Sequence, residues 1–367
     1  MESPQPAEPA ETVKPAERPE VAYHTPDFSG SGSEYFKIWI VNLALTVVTL
    51  GVYSAWAKVR RLQYFYRHTR LAGAGFDYHG DPIAILKGRI VGLFLFGLYS
   101  SAGYVDWRIA IGIFVGLAIV MPWLLGRSFR FRFHNTSYRG LRFKFHGTTR
   151  QAYWVFLALP LFAGLSLFTL GPFWHHRLKR YQFGNAAYGT SRFAMLTKVG
   201  EFYVTYVLAA FMFVCLILFV IVAFVAAGVV AAIGSGGAAE PRVTPAFVAL
   251  MIFGGALYAM AILAVQSVVT ARIHNECWNE MRTEHHRFES RLSAWRLFGI
   301  QYTNLLATVF TLGLFRPFAQ VRLIDYLVGT LTVFGTAPLD VYTAAEDEAV
   351  TAAGEETADL FDFDIAF

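Results

Sequence analysis

Charge is scarce in this chain of 367 residues: 16% are Asp, Glu, Lys or Arg, against 55% hydrophobic residues. With a mean hydropathy of +0.43, that balance excludes an ordinary soluble domain. Four stretches hold no charged residue at all: 90–105, 109–126, 202–239 and 244–271. A helix needs about 20 apolar residues to cross a bilayer, and the last two stretches exceed that. The chain therefore reads as an integral membrane protein. Cysteine is nearly missing too. Cys215 and Cys277 form no CxxC pair, and Cys215 lies inside an apolar run, which argues against a disulfide framework or a cysteine zinc site.

Motifs that carry chemistry are also lacking. The apolar runs contain none of the ionisable groups that a proton relay or ion site places at membrane depth. There is no HExxH pair, no Gly-rich phosphate loop and no serine elbow. Histidines such as His68, His79, His134, His146, His175 and His176 fall in basic segments without a ligand spacing, so they read as hairpin residues. No catalytic residue, metal site or cofactor is assigned, and the chain reads as non-enzymatic. Nucleic acid is excluded as a partner, because the basic clusters adjoin apolar runs and no nucleic-acid module appears.

What the chain does have is a phrase used three times: Thr49-Leu50-Gly51, Thr169-Leu170-Gly171 and Thr311-Leu312-Gly313. Each closes an apolar run. Five residues past each Gly stand Trp56, His176 and Phe318, and nine past stand Arg60, Arg180 and Arg322. Those two positions share one helical face. The pattern predicts an apolar helix that stops at Gly, followed by a basic amphipathic helix. Pro172 and Pro317 fall near the start of that second helix, where Pro is welcome. A prelude also recurs, as Phe28-Ser29-Gly30, Phe145-His146-Gly147 and more weakly Phe288-Glu289-Ser290. Together these predict an internal repeat of helical elements. Between them, 68–80 and 134–147 alternate like β-hairpins, with looser versions at 185–193, 274–288 and 329–341.

These features resemble the YjgN-like family of bacterial inner-membrane proteins. The resemblance is carried by 30–82, which includes Trp56-Ala57-Lys58 and Gly75-Phe76-Asp77-Tyr78-His79-Gly80, by Leu86-Lys87-Gly88-Arg89, and by 135–147. It covers about 28–341 and implies a multi-pass protein of the inner (cytoplasmic) membrane, with no catalytic residues to carry over. Outside it, 1–27 reads as a disordered tail rich in Pro, Ala and Glu. At the other end, 342–367 reads as an acidic tail.

Basic residues flank all three Thr-Leu-Gly elements, so elements that crossed the bilayer would alternate the charge between its sides. The positive-inside tendency instead favours elements that enter and return. The expected fold is an α-helical polytopic membrane protein with short β-hairpins on the cytoplasmic face. Four helices span, at roughly 89–105, 109–126, 203–233 and 246–271, beside three re-entrant helical hairpins; the alternative is seven spans. Asn42, Thr46, Gln301 and Asn304 are polar groups within the apolar elements, expected to hydrogen-bond between packed helices. The expected role is a lipid- or protein-binding membrane module. In it Trp56, Arg60, His176, Arg180, Phe318 and Arg322 meet anionic headgroups of membrane lipids, and any protein partner is left unnamed. The competing expectation is a transporter or pore for a small neutral solute.

Overall fold

The computed structural model describes residues 22–234 and 245–335. Two short strands, β1 (Ala22–His24) and β2 (Asp27–Phe28), lead into the helices α1 (Gly32–Val48) and α2 (Ser54–His68). The strands β3 (Thr69–Leu71) and β4 (Ala74–Tyr78) precede the longer pair α3 (Pro82–Val105) and α4 (Trp107–His134). Next come β5 (Thr136–Tyr138), β6 (Leu141–Phe145) and α5 (Thr149–Tyr153). A π-helical turn at Trp154–Ala158 joins α5 to α6 (Leu159–Leu165), and α7 (Gly171–Gly184) returns. The strands β7 (Ala186–Tyr188), β8 (Ser191–Arg192) and β9 (Ala194–Met195) lead to α8 (Val199–Gly234) and α9 (Pro245–Asn279). The described chain closes with β10 (Met281–Arg282), β11 (His286–Ser290), α10 (Ala294–Phe310), α11 (Arg316–Gly329) and β12 (Leu331–Gly335).

Five helical hairpins result among the described residues, and local chemistry starts most of them. Ser31, Thr148 and Ser293 cap α1, α5 and α10 by accepting the backbone N–H of Glu34, Gln151 and Arg296, which satisfies an otherwise unpaired donor of the first turn. Thr148 and Gln151 complete a reciprocal capping box. Asp81 caps α3, with Pro82 at its first position. Each hairpin packs on the next: α2 on α3, α4 on α5, α7 on α8, α9 on α10, and α11 back on α1. The hairpins therefore form a closed circuit.

The strands tie both ends of each hairpin together. Asp27 pairs with Arg70 around α1–α2, and Phe76 with Tyr138 around α3–α4. Phe143 pairs with Tyr188 around α5–α7, Met195 with Met281 around α8–α9, and Phe288 with Val333 around α10–α11. All pairings are antiparallel and form two sheets, ordered β2-β3-β4-β5-β6-β7-β8 and β1-β12-β11-β10-β9. The sheets share an apolar interior. A cavity of about 100 Å³ lies there, lined by Leu71, Phe76 and Phe143 of one sheet and by Phe288, Leu331 and Val333 of the other.

Among the described residues, four helices are long and apolar enough to cross a membrane, within Pro82–Ala102, Trp107–His134, Val199–Ala226 and Met251–Asn279. The charge-free runs marked them, but the helices extend past those limits. A helix does not end where its charge begins, and α4 continues through Arg127, Arg130 and Arg132 to His134, burying Phe129, Phe131 and Phe133 on the way. By contrast α1 and α10 are 17 residues each, about 25 Å at the helical rise. Two further differences concern strands. Ala22–His24 falls within the expected tail 1–27 yet forms β1, pairing Ala22 with Gly335 and Tyr23 with Phe334; three residues are too few to show alternation. Within 274–288, the chain stays helical to Asn279 before β10 begins. Asp27, also inside that expected tail, belongs to β2, while 1–21 and all of 342–367 lie outside the described residues.

Candidate functional site: hairpin tips and a basic aromatic collar

The three short hairpins turn by one mechanism. In the first, Leu50 and Gly51 have positive φ, at 49° and 93°. Gly51 N–H reaches back to Thr46 O and Leu50 N–H to Val47 O, while Thr49 Oγ1 donates to Leu45 O and accepts from Tyr53 N–H. In the third, Gly313 N–H reaches Thr308 O and Leu312 N–H reaches Val309 O. There Thr311 Oγ1 bridges Ala307 O and Phe315 N–H. Gly suits the left-handed position because it has no Cβ to clash.

The second hairpin makes the same turn three residues earlier than Thr169-Leu170-Gly171. Phe168 N–H reaches Ala163 O and Leu167 N–H reaches Gly164 O, with φ of 63° and 51°. Ser166 Oγ there bonds Ala163 O and Leu170 N–H, the role of Thr49 and Thr311. Gly171 does not stop a helix; it starts α7, and Thr169 sits in the turn, donating to Ser166 O. The turn thus tolerates Phe at its left-handed position, as occasional non-Gly residues do. The tips are apolar. Leu50 and Leu312 are each 95% exposed and Leu167 is 87% exposed.

This offset reassigns the collar. Counted from the turn, Trp56 and Phe318 correspond to Phe173, not His176, and Arg60 and Arg322 correspond to Arg177, not Arg180. His176 is buried, with Nε2 on the Thr197 carbonyl and its ring against Phe202, so it packs α7 onto α8. Arg180 is exposed on α7, away from the shared position. Arg60 stacks its guanidinium 5.7 Å from the Tyr53 ring and Arg177 lies 5.0 Å from Phe173, both in cation–π range. Arg322 donates to Asn304 Oδ1 at 2.8 Å. Trp56 stacks on Tyr53, and Phe318 packs against Phe315 and Phe36.

Two signals in the sequence mark the true register. Pro172 and Pro317 align only when Phe168 is matched to Gly313. The cap-to-tyrosine spacing agrees as well: Ser31 to Tyr64, Thr148 to Tyr181 and Ser293 to Tyr326 are equal intervals. Two of the four polar groups inside the apolar elements tie helices together, whereas Thr46 Oγ1 donates within α1 to Asn42 O and Asn42 Oδ1 meets no donor among the described residues. Asn304 Nδ2 donates to Ala319 O, and Gln301 Oε1 accepts from Ser267 Oγ.

On the strand layer Arg67 holds Asp77, with Nε 2.8 Å from Oδ1. Burial would raise this carboxyl, but the bonds from Arg67 and from the Tyr78 N–H outweigh it and hold Asp77 below its ordinary value. The sign follows. The pairing contributes in full above the ordinary carboxyl value of about 3.9 and is lost as pH falls through the depressed native one. A carbon-detected NMR titration should find Asp77 inflecting below other aspartates, and Arg67→Gln should move it back up.

Comparison with known proteins identifies a family without supplying a mechanism. The family described as bacterial protein of unknown function (DUF898) matches residues 24–360. Inner membrane protein YjgN of Salmonella typhimurium is 28% identical over 147 residues, which cover 40% of this chain and 37% of that protein. The YjgN of Escherichia coli K12 is 26% identical over 157 residues, or 41% and 38%. The chain thus matches under two fifths of the length of these relatives. No solved structure matches. Since the family match takes in every strand of both sheets but part of β1 and all five hairpins, the chain belongs to the DUF898, YjgN-like family of bacterial membrane proteins.

Proposed function

We propose that this multi-pass protein of the bacterial inner membrane is a non-enzymatic module that holds anionic lipid headgroups at its basic, aromatic collar. The observation that carries the reading is the matched position of Arg60, Arg177 and Arg322. Each stands nine residues past a left-handed turn and one helical turn from an aromatic residue. Three features support re-entry of the short hairpins within a threefold internal repeat. Their tips end in exposed leucines, which water disfavours and lipid accepts. Their helices are short against a hydrocarbon core of about 30 Å once Lys37 and Arg296 stay at the surface. Their ends return to paired strands, and the basic residues beside those strands support a cytoplasmic side for both.

A path for a neutral solute is the competing reading, but the cavity between the sheets, lined by apolar side chains such as Phe76, Phe143 and Phe288, holds only about 100 Å³. Near an anionic leaflet each basic side chain contributes about 1 kcal/mol. Changing Arg60, Arg177 and Arg322 together to Glu should therefore weaken binding of the phosphatidylglycerol molecules taken up after the first at least about tenfold in native mass spectrometry, with phosphatidylcholine retention unchanged. Equal loss of both lipids, or of neither, removes the collar from the binding. Topology has its own check. In a background with Cys215 and Cys277 replaced, single cysteines at the exposed positions 33 and 60 should label from the same, cytoplasmic side. Labelling from opposite sides would mean that the first hairpin crosses.

A further inference from the structure

A second basic site lies apart from the collar, where α4 meets the start of α5. Trp123, Gly126, Arg127 and Arg130 of α4 face Gly147 and Thr149 across a cavity of about 180 Å³. Arg127 lays its guanidinium 4.8 Å from the centre of the Trp123 ring. Arg130 donates one N–H to the Gly147 carbonyl at 3.1 Å. Neither has a carboxylate partner among the described residues, so two cations line the cavity without a counter-charge.

A buried hydroxyl behind the floor is the second observation. Tyr181 is 3% exposed, and its hydroxyl has no hydrogen-bond partner among the described residues. It lies 3.2 Å from where a side chain on Gly126 would begin, and Gly126 and Ala152 form that floor. The equivalent tyrosines are satisfied. Tyr64 Oη accepts from Ser31 N–H and donates to Ser31 O, both at 2.9 Å. Tyr326 Oη does the same with Ser293, at 3.0 and 3.3 Å. In this hairpin the cap's N–H is taken by Gln151 Oε1, which leaves the Tyr181 hydroxyl to face Gly126. Burial also pushes its phenol up, so it keeps its proton and stays a donor.

We propose that this cavity binds a phosphate-bearing anion, gripped by Arg127 and Arg130, with Thr149 and Tyr181 supplying hydroxyl donors. Guanidinium forks match phosphate oxygens in geometry and charge. The depth favours a lipid phosphodiester over free phosphate. Arg127 is the first charge after the apolar run 109–126, and Trp123 sits one turn before it, where interfacial tryptophans anchor. None of the collar residues takes part, and only this depth argument rests on the membrane placement given above.

The test uses full-length protein in neutral detergent, with two probes. Phosphatidylglycerol is titrated by native mass spectrometry, and inorganic phosphate by thermal shift without lipid. Arg127→Gln breaks no hydrogen bond within the protein, and it should raise the apparent Kd for the tightest-held phosphatidylglycerol about tenfold or more. Arg127→Gln with Arg130→Gln should abolish that site, while the collar charge-reversal variant keeps it. Tyr181→Phe should also weaken retention, yet leave the unfolding midpoint unchanged or higher, because the hydroxyl bonds nothing in the protein. If inorganic phosphate stabilises the wild type but not Arg127→Gln, while lipid retention is equal in both, the ligand is a soluble phosphate. If Arg127→Gln binds both probes like the wild type with an unchanged circular dichroism spectrum, the proposal is overturned.

Discussion

Phe129→Ala should lower the unfolding free energy by about 3–5 kcal/mol, read as a fall in denaturant midpoint in detergent at unchanged slope. The site explains the size. Phe129 has no exposed surface and lies where α4 leaves its apolar run to meet the sheet. It stacks on Phe145 at 5.5 Å and on Phe156 at 6.2 Å, and meets Tyr181 edge-on at 5.9 Å. Those rings come from a strand, the π-helical turn and α7, so three elements lose a common partner at once. Relaxation cannot close the gap cheaply, since each ring is held by further neighbours such as Phe133 against Phe145. Phe94→Ala, on a residue 69% exposed along α3, should change the midpoint far less.

Gly147→Val is expected to cost about 3 kcal/mol, the upper end for overpacking a filled site. A Cβ at Gly147 would overlap the Phe145 ring and come within 2.9 Å of Tyr181 Cε2. Both rings are buried in the largest core cluster and have no free rotamer to retreat to. The aromatic-x-Gly prelude thereby acquires its physical meaning. In Phe28-Ser29-Gly30, Tyr78-His79-Gly80 and Phe145-His146-Gly147 the ring folds back over the glycine two residues later. The chain passes from strand to helix cap beneath it. Gly164→Ala provides the comparison. Its Cβ would meet nothing within 4 Å, so the midpoint should hold or rise slightly, as helix propensity alone would have it. A Gly147→Val protein as stable as the wild type would mean that the strand-to-cap passage is looser than the packing implies.

Much of this was legible in the residues, and the misses have definite causes. Long charge-free runs found the four spanning candidates, because burial in lipid leaves no other composition. The alternation in 68–80 and 134–147 found the hairpins that lead into and out of α3–α4. Alignment on Thr-Leu-Gly failed in the second copy because the turn is specified by backbone bonds and a hydroxyl cap, which Ser166 supplies as well as threonine does. Thr169-Leu170-Gly171 is a coincidence of letters three residues downstream. His176 and Arg180 entered the expected collar through that error, and Phe173 and Arg177 were missed. The cavity beside Arg127 left no trace in the pattern at all. Its floor depends on the absence of a side chain at Gly126, and its orphan hydroxyl arises because Gln151 occupies the cap N–H, which only the folded geometry reveals.

The pairing of β1 with β12 has a consequence for how the molecule is ordered. The earliest and latest described strands are next-door neighbours, and α11 is seated on α1. The layout resembles a bracelet whose clasp could sit between any two beads. The tight bend at Arg139 and Gly140, with φ of 48° and 80°, joins β5 to β6 just as locally as any other link. What defines the architecture is the cyclic succession of units, and the bead from which the thread starts is incidental to it.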